Sequence, residues 1–121
     1  MMGSYCPVLE TPENQHFLRL TKAAGQYPAE NNFVGWLAAQ TMWEALRSIG
    51  GRAEDRDGLV TALRQVQFKG PMGSFRYDWW GNPTVDFFMQ EVKRVGGEFH
   101  NVCIEKIPEV GHPDDIPFPP K

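Results

Sequence analysis

The sequence lacks the features that mark several large classes of protein. Its 121 residues hold 12 lysines and arginines against 15 acidic residues, so the net charge is -3 and no basic stripe is present to bind a phosphate backbone. No apolar run approaches the roughly 20 residues that a membrane-spanning helix needs. Only 2 cysteines are present, without CxxC spacing or clustered histidines, so neither a zinc site nor a dithiol motif can be read from the sequence. These absences argue against nucleic-acid binding, membrane spanning and a metal site, and no cofactor is expected.

The cysteines and the first residues bear on the cellular compartment. Cys6 and Cys103 could pair in an oxidising compartment, but buried free thiols are the favoured interpretation because Cys is often a small core residue. The start, MMGSYCPVLE, has neither the basic nor the apolar segment of a signal peptide. Expressed as written, the chain is therefore expected in the cytoplasm.

Three helices are predicted in the first half of the chain. Hydrophobic residues make up 41% of the sequence and aromatic residues 12%, which is enough for a packed core. The first helix, residues 11–24, begins with Thr11 as N-cap and Pro12 at the first helical position. Helical spacing of apolar residues predicts two more helices, over residues 32–49 and 55–66.

The second of these helices is apolar on nearly every side. Its large apolar residues are Phe33, Val34, Trp36, Leu37, Met42, Trp43, Leu46 and Ile49. A helix of this kind needs cover on most of its surface, and one small sheet cannot supply it. We therefore expect another part of a larger protein, or a second copy of this chain, to pack on it.

The second half of the chain is predicted to form a small antiparallel sheet. Alternating patterns indicate a short strand at residues 74–77, a long strand at 84–95 and a last strand at 98–107. Gly96 and Gly97 predict a type I′ hairpin between the last two strands, because both turn positions need a positive φ. The predicted fold class is α+β, with three helices packed on this sheet and a C-terminal β-hairpin.

The order of short motifs resembles a known family. The motifs are the TPEN helix start followed by a turn at Pro28, a helix with AAQ and then EAL, a GLVTAL helix, the strand start GPMGSFRYD, and VDFFMQEVKRVGGEF. In this order they resemble the closing part of the type I periplasmic binding proteins, and in particular the leucine/isoleucine/valine receptors of ABC transporters. The resemblance covers about Tyr5 to Ile107. We predict a single domain over residues 1–107 and a proline-rich tail over 108–121.

The resemblance implies a function and several partners. Intact relatives are two-lobed periplasmic receptors that capture an amino acid or related small organic acid and deliver it to the membrane subunits of the transporter. They carry a signal peptide, a first lobe and most ligand-contacting loops upstream of the matched region. This implies a segment, not an enzyme, that cannot form the full cleft alone. The alternative is a freestanding homo-oligomeric α+β interaction protein without a transport ligand.

The resemblance also implies two sets of functional residues. A ligand contact falls at Asn31 and Phe33, although Asn31 as a helix N-cap and Phe33 as a core residue are the favoured alternatives. Gly70, Pro71 and Gly73 would form a hinge, tying off the third helix where the chain enters the sheet of the second lobe.

Other chemical candidates are weaker. Trp79 and Trp80 could stack on a ligand, but covering the end of the sheet is the favoured role. The histidines, His16, His100 and His112, are not spaced to converge on a metal. No pattern of acid, base and nucleophile is present, so no catalytic residue is predicted.

Overall fold

The computed structural model describes residues 1–111, which form three helices and five strands. The elements in chain order are β1 (Met2–Gly3), α1 (Pro12–Ala23), α2 (Glu30–Ser48), α3 (Arg56–Arg64), β2 (Gln67–Gly70), β3 (Gly73–Tyr77), β4 (Pro83–Val95) and β5 (Glu98–Val110). All strand pairs are antiparallel, with β4 in the centre. β5 pairs along one edge of β4, while β3 and β1 pair in succession along the other. The predicted α+β class is confirmed.

The helix starts follow local capping chemistry. The Thr11 hydroxyl accepts a hydrogen bond from the Asn14 amide at 3.2 Å, and Asp55 accepts one from the Gly58 amide at 3.0 Å. Both residues are the N-caps of their helices. α2 differs, because its N-cap is Ala29, which has no side-chain acceptor. The interpretation of Asn31 as a helix cap is therefore wrong, because α2 begins at Glu30 and its N-cap lies two residues before Asn31.

Two short strands were not predicted. β1 pairs through Met2 and Gly3 with β4, and β2 pairs along its whole length with β3. The sheet therefore has five strands instead of three. Strands of two and four residues are too short to show an alternating pattern, so the sequence gives little signal for them.

The β4–β5 hairpin has the predicted turn. Val95 pairs with Glu98 across Gly96 and Gly97, whose φ angles are 61° and 92°. β5 runs to Val110 and so includes the first residues assigned to the tail. The rest of that tail, residues 112–121, lies outside the described residues.

Aromatic rings connect two core clusters. The first contains buried Phe17, Phe33, Met72 and Phe88, and the second contains Ala45, Ala62 and Val66 between α2 and α3. Trp36 packs edge-on against Phe17 at 6.2 Å and against Phe68 at 6.1 Å. Phe68 belongs to the second cluster, so this ring contact joins the two parts of the core.

Cys6 and Cys103 form a disulfide bond, so the prediction of free thiols is wrong. The bond closes a loop with a sequence separation of 97 residues. Pairing over such a distance depends on how the sheet and the N-terminal segment meet. The spacing of the two cysteines in the sequence therefore does not indicate that they pair.

The chain leaves several large apolar residues of α2 uncovered. Val34 is 52% exposed, Met42 42% and Trp43 63%. Only Phe33, Thr41 and Ala45 of this helix are buried. The expectation that this chain does not by itself cover its most apolar helix is confirmed.

Candidate functional site

A cavity of about 540 Å³ lies between the N-terminal segment, the loop before α2 and the tip of the β4–β5 hairpin. Small-molecule sites are concave, largely apolar and a few hundred Å³ in size. The residues that line it include Tyr5, Tyr27, Glu30, Gln90, Phe99 and His100. These residues come from four separate segments of the chain, so the cavity exists only in the folded protein.

Tyr5 joins the cavity to the core. Its ring stacks on Phe33 with centroids 5.4 Å apart and meets Phe17 edge-on at 5.6 Å. The residue is buried, and its hydroxyl has no hydrogen-bond partner within residues 1–111. Burial, with a contribution from Tyr27, raises the pKa of Tyr5 to about 12. Tyr5 is therefore a neutral, tightly packed part of this wall.

Glu30 fixes the N-terminal segment to the start of α2. Its carboxylate accepts hydrogen bonds from the Ser4 amide at 2.9 Å and from the Ser4 hydroxyl at 2.7 Å. As the first residue of α2, it also sits where the helix dipole favours a negative charge. No lysine or arginine lines the cavity in the described part of the chain.

Gln90 connects the same segment to the sheet. Its side-chain amide donates to the Tyr5 carbonyl at 2.7 Å, and its backbone amide donates to the Met1 carbonyl at 2.7 Å. A register shift of the β4–β5 ladder falls between Met89 and Gln90. Gln90 is thus a buried polar residue whose hydrogen bonds hold the N-terminal wall of the cavity in place.

The two predicted ligand residues occupy different environments. Phe33 is 1% exposed and lies in the core behind Tyr5, which agrees with the favoured core interpretation. Asn31 is exposed in the first turn of α2, beside the cavity residue Glu30. Neither residue lines the cavity directly. A ligand role for them stays a prediction.

The predicted hinge residues form a tight turn between strands. Gly70 pairs with Gly73, and Pro71 and Met72 are the two residues between them. α3 ends at Arg64 and β2 follows, so these residues do not tie off the helix as predicted. They connect two strands instead.

This turn is held by contacts to the N-terminal half of the chain. The Pro71 carbonyl accepts a hydrogen bond from Thr11 at 3.1 Å, and the Met72 sulfur accepts one from the Cys6 amide at 3.0 Å. Gly73 has a φ of 128°, which L side chains rarely adopt. A hinge motion at this turn stays a prediction.

The other candidates do not form a second site. Trp79 is exposed in the turn before β4, and Trp80 is half-buried there. Within residues 1–111, no three His, Cys, Asp or Glu side chains converge as metal ligands would. Among the helices described, none combines the length and hydrophobicity needed to cross a bilayer. His112 lies outside the described residues.

The site residues that the sequence did not reveal are Tyr5, Glu30 and Gln90. Gln90 gives a partial signal of a site in the sequence, because it alternates with Thr84, Asp86 and Phe88 on the buried side of β4. Polar residues on the buried side of a strand need partners and often indicate contacts outside the sheet. Tyr5 and Glu30 lie in segments without regular patterns, so only the tertiary structure brings them together.

The sequence model that describes the periplasmic binding protein family matches residues 1–98 of this chain. This chain belongs to that family. The motif resemblance described above is therefore confirmed. No curated protein matches significantly.

Solved receptors share the fold of this segment. An ABC transporter substrate-binding protein from Sphaerobacter thermophilus is 28% identical with a TM-score of 0.79, and the match covers 89% of this chain and 30% of that one. A solute-binding protein from Rhodopseudomonas palustris BisB5, in complex with 3,4-dihydroxybenzoic acid, is 25% identical with a TM-score of 0.80, and the match covers 95% of this chain and 32% of that one. A leucine-, isoleucine-, valine-, threonine- and alanine-binding protein from Brucella ovis shares the fold at 19% identity and a TM-score of 0.78, and the match covers 93% of this chain and 32% of that one. The chain thus spans about a third of the length of these receptors.

Proposed function

We propose that this chain is the closing segment of an ABC-transporter solute receptor and contributes one wall of its ligand cleft. The observation that carries the proposal is the cavity between the N-terminal segment and the hairpin tip, in a chain of the periplasmic binding protein family. Tyr27 and Phe99 supply aromatic surface there, and Glu30 and Gln90 supply polar groups. The membrane subunits of the transporter are the protein partners that this function implies.

The proposed ligand is a small organic acid with an apolar or aromatic body, either an amino acid or a benzoate. No lysine or arginine lines this wall in the described residues, and Tyr27 and Phe99 give it aromatic surface, so it is suited chiefly to the body of such a ligand. The carboxylate would be held by the rest of the receptor. Binding to this segment alone is therefore expected to be weaker than in the intact receptor, but measurable at ligand concentrations well above the Kd.

Within the proposed cleft, the two predicted ligand residues have different roles. Asn31 is exposed next to the cavity residue Glu30, and its proposed role is a polar contact at the rim of the cleft. Phe33 acts from behind, because its ring supports Tyr5. The turn at Gly70 and Gly73 is the proposed place where the backbone rotates when the lobes close.

Ligand titration of the chain tests this function. We expect 3,4-dihydroxybenzoate or leucine to raise the midpoint of unfolding, since a ligand at one hundred times its Kd adds about 2.7 kcal/mol. Phe99→Ala should weaken the effect, because Phe99 lines the cavity and is largely exposed. Ile104→Ala is the matched control, since Ile104 is an exposed β5 residue that does not line the cavity. Absence of stabilisation by either ligand, or equal loss in both variants, would contradict the proposal.

A homo-oligomeric interaction protein is the second candidate, favoured by the uncovered apolar residues of α2. Val34, Met42 and Trp43 are exposed along this helix. In the absence of the remaining receptor lobe, a second copy of the chain could cover it. Sedimentation equilibrium should then give a multiple of the 13.8 kDa chain mass, and Trp43→Lys should restore the monomer. A monomer at all concentrations would exclude this candidate.

A further inference from the structure

The disulfide joins the two walls of the cavity. Tyr5 and Pro7, on either side of Cys6, line one wall, and Val102, next to Cys103, lines the other. The bond therefore links these walls covalently at the place where they meet.

Apart from the β4–β5 ladder, which connects it to the rest of the sheet, the hairpin tip has few attachments among the described residues. Residues 91–101 comprise the end of β4, the turn and the start of β5, and we call them the arm. Every residue of the arm is exposed, so the arm buries no side chain of its own against the rest of the protein. Cys103, just beyond it, packs against the first core cluster. The register shift between Met89 and Gln90 lies at this same level of the ladder.

The N-terminal wall, in contrast, has its own attachments. Cys6 donates its amide to the Met72 sulfur, and Gln90 binds the Tyr5 carbonyl. Asn14, fully buried, donates to the carbonyls of Pro7 and Leu9 at 3.2 and 2.8 Å. Breaking the disulfide would therefore remove the covalent link between the arm and the N-terminal wall. The arm would stay attached only through the β4–β5 ladder, while the N-terminal wall would keep its own hydrogen bonds.

The two cysteine residues differ in exposure. Cys6 is 2% exposed, whereas Cys103 is partly exposed on β5. An incoming thiolate can therefore reach the sulfur of Cys103 more readily. Thiol–disulfide exchange proceeds through such an attack, and its rate depends on which sulfur is accessible.

We propose that Cys6–Cys103 is a thiol–disulfide exchange site that controls whether the arm stays on the cavity, with a dithiol reductant as the reaction partner. One thiolate of the reductant forms a bond to the Cys103 sulfur, and the Cys6–Cys103 bond breaks. The electron pair leaves with Cys6, which takes a proton from solvent. The second thiol of the reductant then displaces Cys103, which is also protonated, and the reductant ends as a disulfide.

Hydrogen exchange of the chain, with and without dithiothreitol, tests the proposal. Reduction should accelerate exchange of the arm amides by at least about tenfold, which corresponds to about 1.4 kcal/mol of lost local protection. Amides of α3, and of the C-terminal part of α2 that packs on it, should exchange as before, because the second core cluster does not include either cysteine. Unchanged arm exchange would overturn the proposal. Equal acceleration of amide exchange throughout the chain would also overturn it, because the bond would then stabilise the whole fold and not the arm in particular.

A double variant removes the bond without a reductant. Cys6→Ala with Cys103→Ala should show the fast arm exchange of the reduced protein and no response to dithiothreitol. Ile104→Ala, with the disulfide intact, should keep slow exchange and full response. If the double variant does not fold, the comparison of oxidised and reduced wild-type protein still decides the question.

The proposal rests on the proposed function only in naming the cavity a ligand site, and the two can fail separately. Exchange of the arm is measured without ligand, so it reports on the disulfide even if no ligand binds. If 3,4-dihydroxybenzoate stabilises the oxidised chain, reduction should remove most of that effect. Full retention of the ligand effect after verified reduction would contradict control of the cavity by the bond and leave the receptor function intact.

Discussion

Replacing Phe33 by alanine distinguishes a core residue from a ligand contact. Phe33 is 1% exposed, stacks on Tyr5 at 5.4 Å and packs edge-on against Phe17 at 6.2 Å. Removal of a buried Phe side chain costs about 3 to 5 kcal/mol, and the cost includes the cavity that is left. Since two ring contacts are lost as well, we expect about 4 kcal/mol, or roughly 15 °C in Tm for a chain of this size.

Urea unfolding monitored by circular dichroism measures this loss. Phe33→Leu, which keeps most of the buried volume, should cost about 1 kcal/mol and remains measurable if the alanine variant does not fold. Val34→Ala is the matched control, because the next residue of the same helix faces solvent and should change stability by less than about 0.5 kcal/mol.

The refuting result would combine stability with binding. If Phe33→Ala lost less than about 1 kcal/mol of stability but abolished stabilisation by ligand, Phe33 would be a direct ligand contact and the assigned packing would be wrong. If Phe33→Ala and Val34→Ala lowered the free energy of unfolding by the same amount, Phe33 would not be the buried residue of α2 that we describe.

Three further predictions concern other buried groups. Tyr5→Phe should stabilise the protein by about 1 kcal/mol because it removes an unpaired buried hydroxyl, and a loss of more than that amount in urea would indicate a missed partner. Because the pKa of Tyr5 is raised from 10.0 to about 12 on folding, the unfolded chain ionises first, and the wild type loses stability as the pH rises from 10 towards 12. Tyr5→Phe has no such group, so the difference in stability between the two proteins should widen over this interval, and a constant difference would contradict the shift. Asp86→Asn should cost about 2 kcal/mol, because buried Asp86 pairs with Lys106 at 2.6 Å and accepts from the Glu109 amide at 2.9 Å; denaturation within 0.5 kcal/mol of wild type would show that these contacts contribute little. Gly73→Ala should lower Tm by several degrees, since φ is 128° and the new Cβ would overlap the Asp86 carboxylate, and an unchanged melting curve would mean that the turn can adjust.

The sequence indicates the parts of the fold that local chemistry determines. Thr11 and Asp55 cap their helices as short-range hydrogen-bond acceptors, and Gly96 with Gly97 determines a two-residue hairpin turn. Each of these signals involves residues that are neighbours in the chain. The class of fold and the family follow because such signals recur in a fixed order.

The parts that the sequence does not indicate depend on contacts between distant segments. Cys6 and Cys103 meet only because β1 and β5 lie on opposite edges of β4. The cavity depends on the same arrangement, since Tyr5 and Glu30 lie far apart in sequence from the hairpin tip. Local patterns cannot reveal such a site, and this explains why Asn31 was predicted as a cap and a ligand contact while its neighbour Glu30 was missed.

The position of β5 has a consequence for handling the isolated protein. Within residues 1–111, β5 pairs only with β4, so its outer edge offers backbone donors and acceptors over 13 residues. Phe99 and Ile104 are exposed on the same strand, and an open apolar edge is a template for intermolecular pairing. Concentrated solutions of this chain should therefore form β-rich aggregates through that edge, and a proline introduced into β5 should delay their growth.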